Sequence, residues 1–436
     1  MQWHYRCPTC GRIYAIEPGR YLCDVCAAVQ KSEEPLRGVL ECTWEGTDPE
    51  PGTVPLPVEP EYFPSIPVGK TPLWAPERLR QELGMPNLWL KDDTCNPSGS
   101  YKDRASWLVA AFAKKFGIGE IVLASTGNAA SSMACIGAAA GIEVKVYVPK
   151  AAPIAKRVQI LQYGAELVEV DGTYDLAFDQ SLAYSNKTGM LSRNTAYNPL
   201  TIEGKKTASF EIAQDLGAAI EATIGANKSN SIAGRGFAGN GSFLAARAAS
   251  LHNTGIPASN TTATNAAPYQ PPVYSAPDHV FVPTGDGVII AGVMRGFEDL
   301  VRLGWIEHMP TVWAAQAEGS SAIARAFATG RFEAVPSSTI ADSISVDIPR
   351  NGYYTLDKLH IHQGRTVVVS DAEILEAQRY LARMSGLFAE PSSACAFAGF
   401  LKARPMLAPN ALVVVMLTGS GLKDIRAAAK AVGLSM

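Results

Sequence analysis

Lys102 stands in a polar, glycine-containing loop immediately before a long apolar segment. The loop, residues 96–104, reads Asn-Pro-Ser-Gly-Ser-Tyr-Lys-Asp-Arg, and the residues that follow it predict a helix over 102–116. A desolvated lysine amine, or one beside another cation, can lose its proton near neutral pH and then attack a carbonyl carbon. Lys102 is therefore a candidate reactive amine, although such a loop is more often only a turn with a helix cap.

Three further polar loops follow apolar runs that predict strands. They lie at residues 125–128, 283–287 and 417–424. Because each loop stands between a predicted strand and helix, its polar groups are expected at the carboxyl edge of a parallel sheet, where such sheets bind ligands. The glycines of 283–287 allow backbone N–H groups to close around a phosphate. Thr418 offers a hydroxyl to a ring atom, although a threonine that only shapes a turn is the simpler interpretation.

Taken together, these loops resemble those of the fold type II pyridoxal-phosphate (PLP) enzymes, most closely the threonine synthase branch. The resemblance covers residues 65–217 and 277–436, and its most specific segments are 96–104, 316–319 (Gln-Ala-Glu-Gly), 390–394 (Glu-Pro-Ser-Ser-Ala) and 417–424. It implies that Lys102 carries PLP as an internal aldimine and that Asn128 hydrogen-bonds the pyridine 3′ oxygen. It also implies that Thr418 faces the pyridine nitrogen and that the PLP phosphate lies in a cup formed by Thr284, Gly285, Asp286 and Gly287.

The resemblance implies a carbon–oxygen lyase of amino-acid biosynthesis. The expected activity is that of a threonine synthase, which converts O-phosphohomoserine and water to threonine and phosphate, with Lys102 moving protons at the substrate carbons. One alternative is a sister β-replacement or elimination enzyme, such as a cysteate synthase or a threonine or serine ammonia-lyase. A second alternative is a binding protein that keeps the fold without catalysis.

Substrate ligands are predicted at two places. Backbone and hydroxyl donors of Ser125, Thr126 and Gly127, at a helix amino terminus, suit the amino-acid carboxylate. Arg104, two residues beyond Lys102, is a candidate ligand for the substrate phosphate, because a guanidinium grips phosphate oxygens in a fork. The competing interpretation of Arg104 is a salt bridge to a local carboxylate such as Asp103.

Four cysteines near the amino terminus have the spacing of a metal site. Cys7, Cys10, Cys23 and Cys26 form two C-x2-C pairs separated by twelve residues. Such pairs suit tetrahedral coordination of Zn²⁺ by four thiolates. A redox dithiol and two disulfides are alternatives, and a reducing cytoplasm favours structural zinc.

Charge and hydropathy point to a small-molecule enzyme. The 436-residue chain has a formal net charge of −3, and no run of about 18 apolar residues occurs in it. The amino terminus lacks the charged start and apolar stretch of a signal peptide. These features predict a cytoplasmic protein without nucleic-acid or membrane partners, and the resemblance implies a homodimer.

The elements that must position these residues form an α/β fold. Strand–helix alternation over 88–187, and again from 279, predicts two doubly wound domains. The resemblance implies that the cofactor lies in the cleft between their sheets. The predicted organisation is a zinc-ribbon-like module (1–45), a proline-rich linker (46–64), a catalytic region of two interleaved subdomains (65–217 and 277–436), and an insertion (218–276) rich in Ala, Ser and Asn. Within the insertion we expect a helix over 243–251 and a loosely packed or disordered tail over 257–277.

Overall fold

The computed structural model describes residues 1–125, 127–150, 154–172, 174–232 and 271–434. The helix predicted over 243–251, and the predicted loose tail as far as residue 270, lie outside these ranges. No helix within them is both long enough and apolar enough to cross a membrane.

Helices and strands alternate along most of the chain. The strands are β1 (Gln2–Arg6), β2 (Ile13–Tyr14), β3 (Glu41–Glu45), β4 (Leu73–Trp74), β5 (Leu88–Asp92), β6 (Glu120–Ala124), β7 (Glu143–Pro149), β8 (Glu166–Val170), β9 (Leu191–Ser192), β10 (His279–Pro283), β11 (Thr311–Ala317), β12 (Arg365–Val369) and β13 (Val413–Leu417). The helices are α1 (Asp24–Ala27), α2 (Glu77–Leu83), α3 (Lys102–Lys115), α4 (Asn128–Ala140), α5 (Ile154–Gln162), α6 (Tyr174–Thr188), α7 (Leu200–Glu203), α8 (Thr207–Ile232), α9 (Val288–Arg302), α10 (Ala322–Thr329), α11 (Gly352–Ile361), α12 (Asp371–Ser385), α13 (Pro391–Ala403) and α14 (Ile425–Ala431).

The larger sheet has six strands in the order β12-β11-β10-β13-β5-β4, all parallel except the edge strand β4. Both faces are covered, which explains why β13 reads Val-Val-Val-Met-Leu with every residue buried. Val413 and Val415 pack on the side of α12 and α13, whereas Val414 and Met416 pack on the side of α8 and α9. Alternate side chains of β13 thus pack into two different hydrophobic clusters, one on each face of the sheet.

The smaller catalytic sheet has four parallel strands in the order β8-β7-β6-β9. Its strand β6 places Ile121 and Leu123 in the cluster shared with α3 and α4. Val122 points to the opposite face, against Phe178 of α6. The fold is therefore an α/β architecture with two mainly parallel sheets, as the sequence predicts.

The amino-terminal module is a three-stranded antiparallel sheet in the order β2-β1-β3. Its core is continuous with that of the catalytic region, because Tyr5 and Leu40 belong to the same buried cluster as Leu108 and Phe112 of α3. The module is consequently packed onto the enzyme rather than held away from it by the linker.

Element boundaries agree closely with the sequence-based predictions in the catalytic region. The strands predicted over 88–92 and 166–170 and the helix predicted over 322–329 have those bounds in the structure. α11 and β12 were not predicted. α8 continues without a break from Thr207 to Ile232 and so extends across the predicted start of the insertion at 218.

Candidate active site

The loop that carries Lys102 is joined to the loop that carries Thr418. Their strands, β5 and β13, are parallel neighbours, so both loops leave the same edge of the larger sheet. Tyr101 N donates to Thr418 O at 2.9 Å, and Ser420 N donates to Gly99 O at 3.0 Å. These backbone bonds fix the start of α3 beside Thr418, which is itself buried.

Lys102 is the first residue of α3, and its amine has a reduced proton affinity. Burial and the nearby Arg193 guanidinium together lower the pKa of Lys102 to about 8, while the charges of Asp286 and Glu390 act in the opposite direction. An ammonium that loses its proton near neutrality can serve both as nucleophile and as general base. This lowered pKa agrees with a reactive amine at Lys102, and the catalytic role remains a prediction.

Asn128 begins α4 and reaches across the cleft to the other sheet. Its side-chain Nδ2 donates to Glu390 Oε1 at 2.8 Å and is 3.4 Å from Ser343 Oγ. Glu390 precedes α13, so this contact joins a helix of the smaller sheet to a helix of the larger one. Hydrogen bonding of Asn128 to the pyridine 3′ oxygen remains a prediction.

The loop 284–287 has the shape of an anion cup. Gly287 has φ of 86°, and a Cβ there would lie 2.3 Å from Thr355 Oγ1, while a Cβ at Gly285 would lie 2.8 Å from Ile344 Cα. α9 begins immediately afterwards and has no side-chain cap. Its first N–H groups and its dipole are therefore available to an anion, and the cup fits the phosphate of PLP.

The other two residues of the cup are held by their surroundings. The Thr284 hydroxyl donates to Val282 O at 2.9 Å. Asp286 Oδ1 accepts from Arg350 N at 2.9 Å, and Asp286 O accepts from Asn351 N at 3.0 Å. The Asp286 carboxylate is thus fixed by the 350–351 turn, and it acts on Lys102 through its charge.

The predicted carboxylate site at the start of α4 is partly described. Gly127 N donates to Ser125 Oγ at 3.2 Å, and Ser125 N donates to Tyr147 O at 3.3 Å. Gly127 stands at the helix start and contributes no side-chain cap. Thr126 lies outside the described residues.

Arg104 is not brought to the cleft as a phosphate ligand. Its guanidinium is buried in an ion-pair cluster with Asp93 and Glu211 and also contacts the hydroxyls of Thr71 and Thr207. All five N–H donors of an arginine are accounted for by these acceptors. The structure therefore favours the salt-bridge interpretation, with Asp93 and Glu211 as the partners in the place of Asp103.

Two buried basic side chains lie near Lys102 and were not predicted from the sequence. Arg193 Nε donates to Ser106 Oγ at 3.3 Å, one helical turn beyond Lys102. Lys205 Nζ donates to Thr201 O at 2.8 Å, and Lys205 O accepts from the Tyr101 hydroxyl at 2.6 Å. Burial lowers the pKa of Lys205 well below the ordinary lysine value, and the charges of Lys102 and Arg193 lower it further. A Lys-Lys pair before a helix resembles an exposed helix start, so the sequence carries no signal of this burial.

The four amino-terminal cysteines converge as their spacing predicts. Their sulfur atoms all lie within 4.8 Å of one another, with Cys7 Sγ 3.8 Å from Cys26 Sγ and Cys10 Sγ 3.6 Å from Cys23 Sγ. Four thiolates at a Zn–S distance of about 2.3 Å in tetrahedral geometry lie about 3.8 Å apart, whereas a disulfide requires about 2.05 Å. All eight cysteines are free. The donor set fits Zn²⁺.

Comparison with known proteins identifies the family of this chain. Residues 65–238 and 230–419 match the family model described as pyridoxal-phosphate dependent enzyme. The chain is 28% identical to a threonine synthase of Methanocaldococcus jannaschii, covering 98% of this chain and 94% of that protein. It is 30% identical to a threonine synthase of Halalkalibacterium halodurans, covering 82% and 83% of the two chains.

Solved structures show the same fold. An L-serine ammonia-lyase from Rhizomucor miehei superposes with a TM-score of 0.61 at 20% identity, and the match covers 84% of this chain and 99% of that one. A maize serine racemase superposes with a TM-score of 0.59 at 19% identity, covering 81% and 88%.

Proposed function

The chain belongs to the family of pyridoxal-phosphate dependent enzymes with the type II fold, and from this premise we propose that it is a threonine synthase. The reaction is the conversion of O-phosphohomoserine and water to threonine and phosphate. Similarity to threonine synthases along nearly the whole chain is the observation that carries this proposal, and the half-buried Lys102, in a loop bonded to the Thr418 loop, agrees with it.

This chain has residues that fit the reactive carbon, the phosphate and the ring of PLP. Lys102 would bind it covalently, the cup at 284–287 and the start of α9 would take its phosphate, and Thr418 and Asn128 would meet its ring. When bound, PLP supplies a sink for the electrons of the substrate α carbon. A hydroxyl at the ring nitrogen, in place of a carboxylate, favours elimination and replacement.

Lys102 performs the proton transfers in this proposal. A pKa of about 8 leaves a useful fraction of the amine unprotonated at neutral pH while keeping it basic enough to accept a proton from carbon. The amine takes the α proton and one β proton, and phosphate leaves from the γ carbon. The γ carbon then gains a proton and becomes the methyl group, water adds its hydroxyl at the β carbon, and a proton returns to the α carbon. Asp286 and Glu390 stabilise the protonated amine between these transfers.

We assign the positive charge for the substrate phosphate to Arg193 and Lys205 in place of Arg104. Both side chains are fully buried; the charge of Arg193 acts on Lys102 and on Lys205, and the charge of Lys102 acts on Lys205. Burial lowers the pKa of Lys205, and an incoming phosphate would raise that pKa again and favour the charged amine. The substrate carboxylate is assigned to the start of α4 at Ser125 and Gly127, with Thr126 as a further sequence-based prediction.

A product assay tests this function. Purified, PLP-loaded protein is incubated separately with O-phosphohomoserine, with O-phosphoserine plus sulfite, and with threonine, and amino-acid products are identified by mass spectrometry. We expect threonine and equimolar phosphate from the first substrate, and none from the Lys102→Ala variant. Cysteate or 2-oxobutanoate instead would reassign the enzyme to a sister branch of the same family.

We further propose that the four-cysteine cluster holds one structural Zn²⁺ and that the protein is a cytoplasmic homodimer. The cluster has four protein donors and therefore leaves no open position for catalysis. Elemental analysis giving one zinc per chain, and a mass of two chains in light scattering, would support these assignments.

A further inference from the structure

The amino-terminal module contacts the turn that holds the cofactor cup. Leu36 N donates to Arg350 O at 3.0 Å. Arg350 N in turn donates to Asp286 Oδ1 at 2.9 Å, and Asn351 N donates to Asp286 O at 3.0 Å. One two-residue turn is thus bonded to the module on one side and to the cup on the other.

Glu41 of the module joins the two helices that flank the cup. Its buried carboxylate accepts from the Tyr354 hydroxyl at 3.0 Å and lies 3.4 Å from Lys358 Nζ, and both of these partners belong to α11. Arg295 Nη1 of α9, the helix that starts at the cup, lies 3.9 Å from the same carboxylate. Arg295 Nη2 also donates to Cys42 O at 3.2 Å. The Glu41 carboxylate therefore connects the module to both α9 and α11, the two helices that meet at the cup.

The metal-binding loop is packed against the segment that makes these contacts. Cys23 N donates to Gly38 O at 2.8 Å, and Leu22 pairs with Val39. Gly38 has φ of 73°, and a Cβ there would lie 2.9 Å from Cys23 O. The segment 36–41, which includes Gly38, thus packs directly against the Cys23–Cys26 turn.

We propose that the amino-terminal module positions the cofactor cup, so that loss of metal from the four cysteines weakens PLP binding while the catalytic region stays folded. The path runs from the Cys23–Cys26 turn through residues 36–41 to the 350–351 turn and Asp286. This inference rests on the PLP site and the structural Zn²⁺ of the proposed function. It assigns Glu41 as a positioning residue that never touches the cofactor.

PLP affinity of the apoenzyme is the measurement that tests this proposal. PLP is titrated into three variants and the wild type, and the Kd is read from absorbance, with metal content, circular dichroism and hydrogen exchange measured in parallel. Cys10→Ser removes the exposed ligand of the cluster, and Glu41→Gln removes the joining charge while leaving all four cysteines. Arg12→Ala is the matched control, because Arg12 is an exposed module residue whose ion pair with Asp24 stays within the module.

We expect the Kd for PLP to rise about tenfold in Cys10→Ser and in Glu41→Gln, which corresponds to the loss of roughly one good hydrogen bond, and to stay unchanged in Arg12→Ala. Hydrogen exchange over 284–290 and 350–351 should increase in the same two variants. An unchanged Kd in Glu41→Gln overturns the proposal, and so does an unchanged Kd in metal-free Cys10→Ser. Should Cys10→Ser unfold, Glu41→Gln decides alone. Failure to make threonine would refute the proposed activity and leave this comparison of PLP affinities intact.

Discussion

Replacement of Arg104 by methionine separates a structural arginine from a substrate-binding one. Arg104 Nε and Nη2 contact Asp93 at 2.6 and 3.0 Å, and Nη1 and Nη2 contact Glu211 at 2.6 and 2.8 Å. Burial alone would raise the pKa of Glu211, but Arg104 and Lys91 hold it well below its usual value. Methionine keeps much of the side-chain volume and removes every one of these contacts.

The expected loss of stability depends on the hydrogen-bond and ion-pair partners that Asp93 and Glu211 keep when Arg104 is replaced. Asp93 is fully buried and keeps only neutral donors, the Thr71 hydroxyl at 2.7 Å and Asn96 Nδ2 at 3.0 Å. Glu211 keeps the ammonium of Lys91 at 2.7 Å. Removing one partner of a buried ion pair costs about 3–5 kcal/mol, and the retained partners place Arg104→Met at about 3–4 kcal/mol. For a cooperative unit of roughly 350 residues this lowers the unfolding midpoint by about 4–6 °C.

Calorimetry and steady-state kinetics together test this reasoning. Arg331→Met is the matched control, because Arg331 also has a carboxylate partner, Glu333 at 2.8 Å, but is largely exposed. The control should shift the midpoint by less than about 1 °C. We expect the KM of folded Arg104→Met for O-phosphohomoserine to stay within about threefold of the wild-type value, because no donor of Arg104 is left for substrate.

A different pattern would refute the structural role. If Arg104→Met melts like the wild type but its KM for O-phosphohomoserine rises by about 100-fold or more, the guanidinium binds substrate phosphate. The arrangement of the cluster described above would then not be the one that operates during turnover.

Three further predictions concern the cleft. Because the pKa of Lys102 is about 8, its unprotonated fraction rises from about one tenth at pH 7 to about nine tenths at pH 9. The rate of covalent PLP incorporation into the apoenzyme should rise in parallel, and a midpoint of this pH dependence near the ordinary lysine pKa of 10.5 would contradict the lowered pKa. Lys205→Met should raise the KM for O-phosphohomoserine by about 10–100-fold with PLP absorbance retained; an unchanged KM would remove Lys205 from the phosphate site. Gly287→Ala brings a Cβ to 2.3 Å from Thr355 Oγ1 and should weaken PLP binding by more than about tenfold, whereas Gly304→Ala, also at positive φ but with open space around its Cβ, should leave PLP titrations unchanged.

Local sequence patterns predicted much of the catalytic framework. Apolar runs followed by glycine and hydroxyl residues predicted strands that end in loops. Buried parallel strands consist of apolar residues, and turns favour glycine and residues with hydroxyl groups. The module strands, α11 and β12 were not predicted, because these elements are short or partly exposed and their hydrophobic periodicity is weak. The cysteine spacing predicted the cluster, since paired knuckles bring four sulfurs together with little dependence on the rest of the fold.

By itself, the sequence determined the order of the catalytic elements, the position of Lys102 at a helix start and the cup before α9. Only the tertiary structure decided which charges those residues meet. Arg104 turns to Glu211, 107 positions away, because packing of α8 beside α3 buries that carboxylate within its reach. Lys205 is buried beside α9 because Gly292 lets the two segments approach closely. Such choices depend on which distant groups share a low-dielectric interior, and a linear pattern of residue types does not encode that information.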